Sequence, residues 1–337
     1  MEQAKTYIEQ QLSVLMPSYD IAEIHFMGGE PLMEFDTIKS IAEWLWGSEI
    51  GKNVDRMFAS TNGTLLTEKM KEWFRSNKHR IVLGLSFDGN CIMQDRNRSH
   101  SYGLVDLGFF AKTWPDQSVK MTLTPETLPH FFEGVMSLRK QGFKYITPDL
   151  AMGKNVCWSK EDARTYAEQL DLFVDFYLSN PQERVISLLD IDFSAVATKA
   201  KGKKCGCGEN LVCIDTDGAE YACHLFAPIS SSPTVAHKSQ RIDFTNHAQF
   251  ISDMCSGCAL VNICNQCCGM NYTSSGNVSS QDPFVCHSFR IQFLAACRLW
   301  YTKAVAEHDE NTRMKLIDIF RNIKIENYGY NRDFEAN

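Results

Sequence analysis

The chain has no long apolar run, no leader pattern and no concentration of positive charge. About 20 consecutive apolar residues are needed to span a bilayer, and no stretch comes close, so no membrane partner is expected. The opening Met1-Glu2-Gln3-Ala4-Lys5 is polar and continues as an amphipathic helix, unlike the apolar core of a secretory signal, and a cytoplasmic setting is expected. With 34 Lys and Arg against 41 Asp and Glu, the formal charge is −7. No basic face is available for a phosphate backbone, so the expected partner is a peptide or small molecule and not nucleic acid. Cysteine is also missing from the first 90 residues, yet eleven of the thirteen thiols fall between Cys205 and Cys297. Thiols bunched in one segment of a large chain without a leader point to metal, not to a disulfide framework. The triplets Asn271-Tyr272-Thr273 and Asn277-Val278-Ser279 match glycosylation sequons but carry no meaning in the cytosol.

What is present is enough for a substantial core: 337 residues, 44% hydrophobic, a length suited to one large domain and a smaller one. An amphipathic helix over residues 1–16, with Ile8, Leu12 and Leu15 on one face, precedes a short buried strand, Ile21 to Phe26. A helix follows with Ile38, Ile41, Ala42, Leu45 and Trp46 inward. The cycle repeats as strand Met57 to Ser60, helix Thr67 to Arg75 with Met70, Trp73 and Phe74 inward, and strand Ile81 to Phe87. Strand Val119 to Leu123, helix Phe131 to Lys140 and strand Phe143 to Ile146 continue it. This alternation is the rhythm of parallel βαβ units, in an open sheet or a barrel. Ser159, with Asp162 three residues on, predicts a capped helix reaching about Ser179. The texture changes to Lys, Gly and Cys near Lys199. Helical periodicity returns from Phe289 to about Lys324, before a polar tail over Glu326 to Asn337. The domains read as 1–198, 199–300 and 301–337.

Seven cysteines carry the most information. Cys205 is followed after twelve residues by Gly218 and after four more by Cys223; then come Cys255-x2-Cys258-x5-Cys264-x3-Cys268 and, after a gap, Cys286. One cubane normally takes four thiolates, so seven or eight suit two iron-sulfur clusters. Asp217-Gly218 is a hairpin signal that folds Cys223 back towards Cys205. The spacing resembles the SPASM domain of radical SAM maturases, the peptide- and protein-modifying type. By that resemblance one auxiliary 4Fe-4S cluster takes Cys255, Cys258, Cys264 and Cys286. The other takes Cys205, Cys223 and Cys268, with Cys207 or Cys213 as a fourth ligand or, if neither binds, an open iron that could ligate substrate. Structural zinc is the plainer reading, because Cys-x2-Cys pairs also build zinc ribbons. Cys267 is a bystander or substitute ligand, and Cys91, Cys157 and Cys297 are isolated thiols for which burial without reactivity is the default.

Taken alone, Gly28-Gly29-Glu30-Pro31 is a turn after a strand. Its position at a strand's carboxyl end lets backbone approach a ligand, and Glu30 offers a partner for an ammonium group. It resembles the GGEP motif of radical SAM enzymes, whose backbone and glutamate hold the methionyl amine of S-adenosylmethionine. Ser60-Thr61-Asn62-Gly63, Ser86-Phe87-Asp88-Gly89 and Thr122-Leu123-Thr124-Pro125 fall at later strand ends as in that family, and the resemblance covers about residues 1 to 300. It implies cofactor contacts from Gly28, Gly29, Glu30, Asn62 and Ser86, with Asp88 as a helper. Lys120 reads as a solvated surface charge. His224 follows Cys223 where sulfatase-maturating relatives carry a proposed catalytic aspartate; it is either a catalytic residue of a peptide-modifying maturase or a histidine hydrogen-bonded near the cluster.

The resemblance implies an α/β fold: a partial parallel β/α (TIM-like) radical SAM barrel missing its first strand, a small irregular cysteine-rich SPASM domain, and a C-terminal helix. It implies a peptide or protein substrate, hydrogen abstraction, and a reductant such as flavodoxin or ferredoxin. The Cys-x3-Cys-x2-Cys loop that holds the third 4Fe-4S cluster beside S-adenosylmethionine does not occur in residues 1–337. It would lie upstream of Met1 in a truncated maturase. The alternatives are a radical-inactive iron-sulfur protein that binds a peptide or carries electrons, and a zinc-stabilised interaction protein.

Overall fold

The computed structural model describes residues 2–153, 155–196 and 202–322; the boundary expected at 198–199 and the tail 326–337 lie outside them. Five parallel strands form the framework: β1 (Ala22–Phe26), β2 (Val54–Thr61), β3 (Ile81–Leu85), β4 (Val119–Leu123) and β5 (Ile146–Leu150). β1 pairs with β2 and β2 with β3, with Ser60 opposite Gly84. Lys120 is opposite Thr147 in the β4–β5 pair. A bridge between Ser86 and Lys120 joins the two groups, with Phe87 N donating to Lys120 O at 2.9 Å. Strands thus neighbour one another in chain order, all parallel, with no switch point. That is an arc of a β/α barrel and not a doubly wound sheet. Among the described residues the arc does not close, and β1 has a partner on one side only.

Helices cover the convex face. α1 (Glu2–Leu15) precedes β1, and α2 (Phe35–Gly47) buries Phe35, Ile38, Ile41, Ala42 and Leu45. α3 (Glu68–Asn77) is capped by Thr67, which accepts from Met70 N. α4 (Cys91–Asn97) and α5 (Leu107–Thr113) fill the long β3–β4 connection, and α6 (Phe131–Lys140) matches its expected bounds. α7 (Lys160–Ser179) starts at a complete Ser159/Asp162 capping box. The last barrel strand departs from expectation: it begins at Ile146, where the predicted one ends, and contains Pro148. Among the described residues β5 is an edge strand, and an edge tolerates a residue with no N–H to donate.

The cysteine-rich segment has little regular structure: hairpin β6 (Cys213–Ile214) and β7 (Glu220–Tyr221), then α8 (Pro233–Ser239), α9 (Asp253–Ser256) and α10 (Cys268–Ser275). The final helical stretch is two helices, α11 (Pro283–Ala306) and α12 (Glu310–Asn322), separated where His308 takes a φ of 55°. α11 runs across position 300, and its Phe284, Ile291, Ala295, Ala296 and Leu299 join the barrel's main core, which also holds Leu170, Phe173 and Val174 of α7. Its Phe289, Phe293 and Cys297 belong to a second core with Leu260 and Cys264. A third core gathers Cys207, Cys223, Phe226, Phe250, Cys268 and Val278. Among the described residues, no helix is long and apolar enough to cross a membrane.

Candidate functional site

The strand-end loops meet at the barrel mouth. Nothing lies within 4 Å of where a Cβ would project from Gly28 or Gly29, so the backbone there is open to a ligand. Glu30 is half-buried and its carboxylate accepts from Thr61 Oγ1 at 2.8 Å, Asn62 N at 2.8 Å and Leu32 N at 3.1 Å. The acid therefore ties the loop after β1 to the end of β2, with lone pairs remaining. Asn62 Oδ1 accepts from Thr64 N at 2.9 Å and Thr64 Oγ1 at 2.7 Å. Ser86 N donates to Thr61 O at 2.9 Å, which puts the half-buried Ser86 beside the same loop. Asp88 is 0% exposed. Its carboxylate accepts from Arg98 Nε and Nη2 at 2.8 and 3.0 Å, Thr122 N at 2.8 Å and Asn97 Nδ2 at 3.2 Å. Every favourable direction around it is occupied by the protein, so it locks the ends of β3 and β4 together.

Lys120 is exposed, as its sequence reading has it, and in addition makes a bond across the sheet. Val119, Met121 and Leu123 of β4 are buried, and Lys120 alternates to the concave face, where its amine donates to Ser60 Oγ at 3.2 Å across β3. Its charge also reaches Asp149 of β5, whose carboxyl burial pushes up in pKa, and His224, whose pKa burial and Lys120 both lower. The period-two pattern of β4 held the signal for Lys120, since it places the lysine opposite an apolar row.

The thiols form two groups. Cys205, Cys207 and Cys268 bring their Sγ atoms within 4.8 Å of one another, and Cys207 also contacts the Cys223 thiol. Hydrogen bonds among them hold the Cys205 thiol well below its usual range and Cys207 well above it. Cys213 sits on β6 opposite Tyr221, close enough to feel Cys223 but outside that set. In the second group, Cys286 lies near Cys255 and Cys258, and Cys264 near Cys258 and Cys286; burial raises Cys264 to about 11. Asp282 caps α11 by accepting from Phe284 N at 2.7 Å, which positions Cys286 in the first turn. A cavity of about 450 Å³ lined by Met254, Cys255, Cys286, His287 and Arg290 opens at this group. Sequence reasoning missed the groups beside the sulfurs: Gln266 Nε2 donates to Cys255 Sγ at 3.5 Å, Gln281 Nε2 to Cys264 Sγ at 3.6 Å, and Lys204 Nζ to Cys264 O at 2.5 Å. Lys204 adjoins Cys205, so it links the two groups. Cys267 is half-buried beside Cys268, Cys297 is buried on α11, and Cys91 and Cys157 are exposed. Among the described residues Cys205, Cys207 and Cys268 come together at a spacing that could hold a metal, and their thiolate chemistry suits a thiophilic one.

The arc of parallel strands, its strand-end loops and the irregular cysteine-rich segment define the class of fold: a parallel β/α barrel, partial among the described residues, followed by a small cysteine-rich segment, as in the solved structures it resembles. In sequence the chain resembles a radical SAM enzyme, and in fold it resembles solved structures with bound AdoMet or a bound precursor peptide. No family model matches the chain. The radical SAM cyclopropyl synthase TigE of Paramaledivibacter caminithermalis is 21% identical over 321 residues, covering 86% of this chain and 63% of TigE. The chain thus spans less than two thirds of that relative's length. Native anSMEcpe with bound AdoMet superimposes with a TM-score of 0.65 at 18% identity, covering 94% of this chain and 89% of that one. SuiB of Streptococcus suis bound to the precursor peptide SuiA gives 0.54 at 14% identity, covering 84% and 69%.

Proposed function

We propose that the chain is the main part of a cytoplasmic radical SAM/SPASM maturase that modifies a peptide or protein by hydrogen abstraction. The observation that carries this reading is the barrel-mouth loop: beside the open backbone of Gly28 and Gly29, the Glu30 carboxylate accepts from Thr61 Oγ1 and Asn62 N at 2.8 Å each and keeps lone pairs free. In this reading Gly28, Gly29, Glu30, Asn62 and Ser86 hold S-adenosylmethionine. Cys205, Cys207, Cys223 and Cys268 hold one auxiliary 4Fe-4S cluster, Cys207 being favoured over Cys213 by its place in the thiol group. Cys255, Cys258, Cys264 and Cys286 hold the other. S-adenosylmethionine, when bound and reductively cleaved, supplies the hydrogen-abstracting radical. The chain's own residues position its amino-acid head, lock the strand ends through Asp88 and carry the clusters that accept electrons or anchor substrate. A flavodoxin- or ferredoxin-type protein is the reductant. The peptide-bound states of SuiB and of anSMEcpe, the latter with a Cp18Cys peptide, support a peptide substrate over nucleic acid.

Anaerobic purification and reconstitution, followed by assay of iron, acid-labile sulfide and zinc, tests this. The expected content is about eight irons with matching sulfide, two cubanes' worth. Zinc with little sulfide, persisting after reconstitution, would leave a zinc-stabilised interaction protein instead. A second reading is a radical-inactive iron-sulfur protein, and the coding sequence upstream separates the two. An in-frame Cys-x3-Cys-x2-Cys loop there supports the maturase, and a stop codon with no such loop supports the second reading.

A further inference from the structure

We infer that Lys204 is a positioning residue that raises the reduction potential of the metal centre at Cys264. The inference deepens the proposed function and rests on its assignment of Cys255, Cys258, Cys264 and Cys286 to one cluster. It starts from two consecutive lysines that turn opposite ways. Lys203 Nζ pairs with the Glu209 carboxylate, which His247 also meets at 3.0 Å, and lies over the Phe250 ring. Its charge is thus matched by an acid. Lys204 Nζ instead donates to Cys264 O at 2.5 Å, across a sequence separation of 60 residues. Among the described residues it makes no ion pair with a carboxylate within 4.0 Å. One side chain therefore carries an unmatched positive charge from the neighbour of Cys205 to the backbone of Cys264.

The carbonyl it meets belongs to a turn that already serves the sulfurs. Cys264 O also accepts from Gln266 N at 2.8 Å, so both its lone pairs are engaged. Gln266 Nε2 donates to Cys255 Sγ at 3.5 Å, and Gln281 Nε2 to Cys264 Sγ at 3.6 Å. The lysine thus clamps a turn whose neighbouring amides touch two of the four sulfurs. Cys264 is 7% exposed, and charges acting on a buried group are screened less than those acting on a surface one. A thiolate-ligated cluster gains a negative charge when it is reduced. A cation fixed within one residue of a ligating sulfur, with no acid to cancel it, favours the reduced form. Groups beside the ligands, and not the ligands alone, tune a metal centre in this way.

Redox titration of the anaerobically reconstituted full chain, followed by electron paramagnetic resonance, tests the inference. Gln281→Leu removes a donor to Cys264 Sγ, and the potential it lowers is that of the Cys264 centre. Lys204→Met is expected to lower the same potential with iron and sulfide content unchanged. At a fixed applied potential the reduced-to-oxidised ratio should fall about tenfold, a shift of about 59 mV for one electron. Lys204→Gln keeps a hydrogen-bond donor but loses the charge and should give most of the same shift, whereas Lys204→Arg should restore the original value. No shift in Lys204→Met, a shift confined to the other potential, or a recovery by Lys204→Gln as complete as that by Lys204→Arg overturns the inference while leaving the two-cluster reading in place. Loss of iron in both Lys204→Met and Lys204→Gln would make the lysine a structural strut alone and overturns it as well. An unsubstituted chain that takes up zinc and shows no reducible centre overturns both.

Discussion

Asp88 lies just past the end of β3 and is bridged to Thr122 of β4, a role its sequence reading did not contain. Asp-Gly reads as a turn, and nothing local shows that Arg98, ten residues on, folds back to pair with a fully buried acid. Asp88→Ala leaves the guanidinium and Thr122 N without their acceptor. Breaking a buried pair this way costs about 3–5 kcal/mol, so a lower thermal midpoint and lower yield of folded protein are expected, with Asp88→Asn milder because it still offers Thr122 an oxygen. A fall in activity with no change in stability would return Asp88 to the cofactor. Cys297 gives the pH-dependent case. Burial alone pushes its thiol up to about 12 from 9.0. The folded state holds this proton more tightly than the unfolded state, so the stability it confers is complete below about pH 9 and is lost as the pH rises towards 12. Thermal midpoints should therefore fall with pH from 9 upward less steeply in Cys297→Ala than in the unsubstituted chain; equal slopes would refute the assignment. The thiol spacings were legible without coordinates, but the choice between Cys207 and Cys213 was not. It depends on the hairpin register that places Cys213 opposite Tyr221 and outside the thiol set.

At the scale of elements, contact between α1 and the β6–β7 hairpin joins the start of the chain to the cysteine-rich segment. Tyr7 Oη donates to Asp217 O at 3.2 Å, and Gln11 bonds Glu220. Gly218 turns the hairpin at a φ of +87°, and a Cβ there would meet the Tyr7 ring at 2.5 Å. Gly218→Ala faces both a left-handed backbone, costing about 1–2 kcal/mol, and a collision with Tyr7. Adding Tyr7→Ala should recover the collision part and leave the backbone part, giving a non-additive double-mutant cycle in thermal midpoint. Additive effects would mean the hairpin does not rest on α1. The glycine was readable as a turn, whereas its partner, some two hundred residues away, was not. The same limit explains β5 and the last helices. Pro148 argues against a strand unless the strand is known to be at an edge, and the periodicity across Ala306 to Glu310 hides a break set by the His308 backbone.

Across the whole molecule, the order of strands followed from rhythm and strand-end loops, whereas the division of cores did not. The barrel core is apolar and needs no metal: Leu83, Leu85, Phe131, Leu138, Phe173 and their neighbours are buried among hydrocarbons. The third core has only a few apolar side chains around three cysteines, and the segment over 202–282 has two two-residue strands and short helices. Such a segment buries too little to offset the entropy of ordering its backbone unless metal holds it. Removing iron by chelation under reducing conditions should therefore raise hydrogen exchange across 202–282 and leave β2, β3, β4 and α7 protected. α11 should divide along its length, because Cys286 in its first turn would lose its metal while Ile291, Ala295 and Leu299 remain packed in the barrel core. Exchange would then rise near Cys286 and stay low beyond Ile291. Uniform loss of protection would show one cooperative unit whose barrel also depends on the metal. Unchanged protection over 202–282 would show that its thiols hold no structural metal, and the two-cluster reading would fall with it.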